Sequence, residues 1–112
     1  MIDANVIENL LVELRRGTQI LAVLSQLTTT QYGYSLLQTL ESKNIGIEAG
    51  TLYPLLRRLE SQGLLQSEWD TQEARPRKYY QLSEDGKELF QRLKKEWTKI
   101  QNEMKAVLGE NE

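Results

Sequence analysis

The run Gly50-Thr51-Leu52-Tyr53-Pro54-Leu55-Leu56-Arg57-Arg58-Leu59-Glu60, followed by Gln62-Gly63-Leu64-Leu65, admits few folds. It reads as an amphipathic helix, a glycine stop and the start of a strand. Leu52, Leu55, Leu56 and Leu59 recur at helical spacing and form one apolar face. Gly50, Pro54, Arg57 and Ser61 lie opposite, with Tyr53 and Arg58 at the edges. Proline is tolerated in the first turn of a helix, where its missing N–H has no partner to lose, so Pro54 predicts a start near Ala49 or Gly50. The apolar face would anchor the helix to a core. The small, aromatic and cationic front suits a helix that enters a DNA major groove. On these residues alone, a solvated surface helix is an equal reading.

A chain of 112 residues points to one folded unit. Fourteen basic and sixteen acidic residues give a net charge of -2. That balance argues against coating nucleic acid through bulk charge but leaves room for a local cationic surface. The chain has no cysteine and no histidine. Disulfides, thiolate chemistry and every histidine-based catalytic or metal site are excluded. No enzyme activity, catalytic residue, cofactor or metal is expected. No segment approaches the roughly eighteen apolar residues of a membrane span, and the N-terminus lacks a cationic leader. A cytoplasmic protein without a membrane partner is the expectation.

Helical periodicity covers about Ala4 to Leu27, with Val6, Leu10, Leu11 and Leu14 on one face. Ile20, Leu21, Val23, Leu24 and Leu27 make a wider one. Gly17 leaves open one helix or two. A second helix is predicted from about Gln31 to Lys43, with Thr30 as N-cap and Asn44 and Gly46 ending it. The third runs from about Ala49 to Gln62, with Gly63 as C-cap. Leu64 to Trp69 and Lys78 to Leu82 read as two strands of a hairpin, joined by the polar loop Asp70 to Arg77. A long helix follows from Ser83, its expected N-cap, to Leu108, and the tail Gly109 to Glu112 should fray. The fold class is mainly α with a small β-hairpin. The order matches a winged helix-turn-helix over 1–82, with an N-terminal helical extension, and a long C-terminal dimerisation helix over 83–112.

Function concentrates in four places. Thr51, Tyr53 and Arg57 lie on the front of the third helix, where side chains and free N–H groups can meet phosphates or base edges. Arg75-Pro76-Arg77-Lys78 puts three cations at the hairpin tip, a wing able to reach a minor groove or flanking backbone, with Lys78 nearer its root. In the second helix Gly33 implies a close approach, for which packing against the third helix and contact of Tyr34 or Ser35 with a phosphate are equal readings. In the last helix Phe90, Leu93, Trp97, Ile100, Met104 and Val107 follow a heptad stripe that needs a partner, either the N-terminal helix of the same chain or a second chain, with the homodimer the favoured reading. Trp97 is either simple core or one of a symmetric pair flanking a pocket for a planar ligand.

These blocks resemble the PadR family of bacterial transcriptional regulators, in its short form with a single C-terminal dimerisation helix. The residues concerned are Gly50 to Glu60, Gly63-Leu64, Arg77-Lys78-Tyr79-Tyr80-Gln81-Leu82-Ser83 and Gly86. The resemblance implies a homodimeric repressor on a roughly palindromic double-stranded operator. It implies DNA contacts from Tyr34, from Thr51, Tyr53 and Arg57, and from Arg75, Arg77 and Lys78. Some short members bind flat aromatic compounds between paired tryptophans of the last helix, and Trp97 resembles that position, which makes a small aromatic effector a candidate partner. Three features depart from the family pattern. Tyr32-Gly33-Tyr34 stands where His-Gly-Tyr is frequent, Thr71-Gln72-Glu73-Ala74 replaces a glycine-rich tip, and Met1 to Arg16 extends the N-terminus. The alternative is a winged-helix module that binds another protein and no DNA.

Overall fold

The computed structural model describes residues 1–109, so 110–112 of the expected fraying tail lie outside the described residues. Helix α1 spans Ala4–Gln26 without interruption, which resolves the choice at Gly17. The glycine's cost of about 1 kcal/mol is outweighed by the good helix formers on either side. Asp3 caps the start by accepting from the Asn5 N–H at 2.7 Å.

The chain then departs from expectation. Gln31–Tyr32 form a short strand, β1, rather than the first turn of a helix. Helix α2 covers Gly33–Ser42, with Tyr32 as its N-cap residue. Thr30 is therefore not the cap, and its hydroxyl donates instead to Gln81 Oε1 at 2.8 Å. After Asn44, which takes a positive φ of 64°, helix α3 spans Ala49–Ser61. Strands β2 (Leu65–Asp70) and β3 (Arg77–Leu82) form the hairpin, and α4 covers Glu84–Leu108. The predicted two-stranded ribbon is thus an antiparallel sheet of three strands in the order β1-β3-β2. Gln31 pairs with Tyr80 and Tyr32 with Tyr79, while Ser67 faces Tyr80 and Trp69 faces Lys78 across the hairpin.

The start of α3 at Ala49 is the one Pro54 predicts, but the proline does not lie in the first turn. With α3 beginning at Ala49 it stands in the second turn, where the missing N–H removes a bond to the Gly50 carbonyl. Gly50 is exposed, so water can satisfy that carbonyl and the helix continues. Gln62 closes α3 and Gly63 follows with φ 77°.

Every element but β1 and α4 contributes a buried hydrophobic side chain to one core. Val23, Leu24 and Leu27 come from the end of α1 and its cap, and Leu36 and Leu40 from α2. The four leucines of α3 join them, with Leu65, Tyr80 and Leu82 from the sheet. Ser83 fixes the root of α4 by accepting from the Gly86 N–H at 3.0 Å and donating to the Gly63 carbonyl at 2.6 Å. Gly86 lies so close to the Leu64 carbonyl that a Cβ would overlap its oxygen. Phe90 and Leu93 pack half-buried against the core, but Trp97, Ile100, Met104 and Val107 are exposed. No helix among the described residues is long and apolar enough to cross a membrane.

Candidate nucleic-acid interface

The leucine face of α3 is buried, so the opposite face is held outward as the sequence spacing requires. Thr51, Arg57 and Arg58 are exposed on or beside it. Arg57 forms no ion pair among the described residues. Glu48 opens the helix without a side-chain cap, and its carbonyl accepts from Thr51 and Leu52 at 2.9 Å. The first N–H groups of α3 therefore face out at the positive end of its dipole.

Helix α2 meets α3 at Gly33. A Cβ there would overlap the ring of Tyr53, so the glycine lets that ring lie directly on the α2 backbone. Tyr53 is half-buried in consequence, while its neighbour Tyr34 is 55% exposed. The Ser35 hydroxyl is already engaged, donating to the Tyr32 carbonyl at 2.9 Å.

The wing carries its cations in three different settings. Arg75 is exposed at the tip. The Arg77 guanidinium lies 4.7 Å from the centroid of the Tyr32 ring, and that ring meets Tyr79 edge-on with centroids 5.5 Å apart. Glu73 stands 3.6 Å from Arg77 Nη2 and, with the nearby tyrosines, raises the Arg77 pKa further. Lys78 is turned inward: its Nζ lies 2.9 Å from Glu60 Oε1 on α3. The other oxygen of Glu60 accepts from the Ser67 hydroxyl. Ser67 and Lys78 hold the Glu60 carboxyl below the usual glutamate range, and Glu60 raises the Lys78 pKa in turn.

Of the eight residues that sequence reasoning selected as DNA contacts, Tyr34, Thr51, Arg57 and Arg75 are exposed, whereas Ser35, Tyr53, Arg77 and Lys78 are half-buried. Sequence reasoning missed Tyr32 as the platform under Arg77, because the β1 pairing that presents the ring leaves little trace in two residues. It also missed Glu60, since a glutamate at a helix end carries no signal of its own. Away from this face, α1 and α4 enclose an apolar cleft of about 700 Å³ lined by Leu14, Leu21, Leu93, Trp97, Ile100 and Met104, among others. No cluster of three acidic side chains able to hold a metal ion occurs among the described residues.

The chain matches the model of the transcriptional regulator PadR-like family over residues 20–92. Its fold is similar to a PadR family transcriptional regulator from Eggerthella lenta at 44% identity and a TM-score of 0.88, covering 96% of each chain. A PadR family regulator from Clostridium difficile is similar at 31% identity and a TM-score of 0.68, over 80% of this chain and 93% of that one. A PadR-like regulator from Bacillus cereus shares the fold at 22% identity and a TM-score of 0.73, over 86% and 96% of the two chains. A search of curated proteins by sequence returned no match.

Proposed function

This chain belongs to the PadR-like family of transcriptional regulators, and from that premise we propose that it is a homodimeric repressor that binds a roughly palindromic DNA operator. The winged helix-turn-helix, residues 1–82, reads the DNA, and the C-terminal segment, residues 83–112, pairs the two copies through α4 (Glu84–Leu108). The observation that carries this reading is the unpaired Arg57 on an outward α3 face, flanked by exposed Tyr34 and Thr51 and by the wing cations Arg75 and Arg77. These five side chains make the contacts. Ser35, Tyr53 and Lys78 are half-buried and held by the body, so they frame the face; Arg77 is half-buried too, but 39% of its side chain stays exposed.

Dimerisation is supported by apolar surface without a partner in one chain. Leu10 and Leu14 on α1 are 61% and 76% exposed, and Trp97, Ile100, Met104 and Val107 continue the patch on α4. Leaving so much contiguous apolar surface in water is a liability that a second copy removes. In the dimer the α3 helices lie about 34–36 Å apart, one turn of B-DNA. A flat aromatic effector fits the α1–α4 cleft, stacked on Trp97 and shifting operator affinity. The protein-only alternative rests on the net acidic charge.

The test is a salt titration of operator binding. Arg57→Ala should weaken binding and lower the salt slope by about one. An unchanged affinity and slope would sink the assignment of α3.

A further inference from the structure

Glu60 stands where α3 meets both strands of the hairpin. One carboxylate oxygen faces Lys78 of β3 at 2.9 Å, and the other accepts from the Ser67 hydroxyl of β2. Ser67, Trp69, Lys78 and Tyr80 share one face of the ribbon, because Ser67 pairs with Tyr80 and Trp69 with Lys78. The ammonium lies 5.3 Å from the Tyr80 ring centroid and 6.0 Å from that of Trp69. A single side chain at the end of α3 thus grips two strands, and the lysine it grips is walled by two aromatic rings. Every residue of the tip from 71 to 76 is exposed, and among the described residues none of them forms an ion pair with the body.

We propose that Glu60 is a positioning residue that sets the wing against the reading helix, with Lys78 serving as its counter-ion and not as a phosphate contact. The proposal rests on the DNA-binding reading above. Were Lys78 to swing out to a phosphate, Glu60 would keep only a neutral hydroxyl. Its bare carboxylate would then stand beside the polyanion, and that repulsion opposes the exchange. Lys78 therefore stays on Glu60 when DNA binds. The latch fixes the angle at which Arg75 and Arg77 leave the body, so α3 and the wing address the duplex as one rigid unit.

The experiment uses the duplex that the unaltered protein selects from a random library. Binding is titrated against salt for Lys78→Gln, Glu60→Gln and the charge-reversed pair Glu60→Lys with Lys78→Glu. Both single variants should weaken binding by about two- to fivefold, the scale of a partly exposed ion pair, with the salt slope unchanged. Hydroxyl-radical protection should fade at the flanks under the wing and persist under α3. The reversed pair should recover most of the affinity. A slope lowered by about one in Lys78→Gln, with no recovery in the pair, would make Lys78 a phosphate contact and overturn the latch alone. Tighter binding by Glu60→Gln would reduce Glu60 to a repulsive charge and overturn it too. If the unaltered protein selects no duplex, the DNA-binding reading fails and takes this inference with it.

Discussion

Gly33 has the ring of Tyr53 where a side chain would be, so one residue sets how closely α2 approaches α3. Gly33→Ala should push that ring aside and cost about 1–3 kcal/mol, the usual range for overpacking, read from chemical denaturation. Adding Tyr53→Ala should lessen the effect of the new methyl group, because the obstructing ring is gone. Glu60 gives a pH signature of known sign. Its pKa is lowered in the folded state, first by the Ser67 hydrogen bond and then by Lys78. Its contribution to stability is therefore full above the unfolded carboxylate value and is lost as pH falls through the folded one. Lys78, raised chiefly by Glu60, keeps its share at neutral pH and loses it only above the ordinary lysine range. Thermal melts should show the unaltered protein more stable than Glu60→Gln at pH 7, with the two converging in acid. Equal stability at pH 7 would mean that the ion pair contributes nothing to the fold.

The joint between sheet and α4 depends on two small residues. Ser83→Ala removes both the cap of α4 and a bond to the Gly63 carbonyl, and should cost about 1 kcal/mol or somewhat more. Gly86→Ala should cost more, about 3 kcal/mol, because its methyl group meets backbone that cannot turn aside as a side chain can. Denaturant midpoints of the two variants, taken together, would reverse that order if the close approach were not real. Elements with strong periodicity were legible in the sequence: α3 through its four leucines, α4 through its heptad stripe and Ser83, the hairpin through its aromatic strand. Strand β1 was not, because two residues have no periodicity and their pairing to β3 is non-local. The same strand moved the helix start from Gln31 to Gly33 and took the cap from Thr30. Pro54 misled on mechanism, since a solvent-facing Gly50 carbonyl lets proline sit one turn deeper than the simple rule allows. Of the site, exposure was legible, whereas the engagement of Lys78 and Ser35 required tertiary contacts that no local pattern encodes.

The molecule measures 54 × 34 × 24 Å with a radius of gyration of 16.6 Å, against about 13 Å for a compact chain of this length. The elongation comes from α1 and α4, whose outer halves carry the exposed apolar patch. In the proposed dimer that patch is the interface, and reading two half-sites at once supplies most of the operator affinity. Leu14→Glu should therefore shift sedimentation from dimer to monomer and weaken operator binding by roughly a hundredfold, with the helical content kept. The central claim is that two copies of this chain read DNA through α3 and the wing. Its most direct test is selection of random duplexes on the purified protein at physiological salt, with the mass of the complex measured alongside. The account predicts an enriched inverted repeat, with half-sites about one helical turn apart, bound by two chains. A well-folded dimer that enriches no sequence would contradict it.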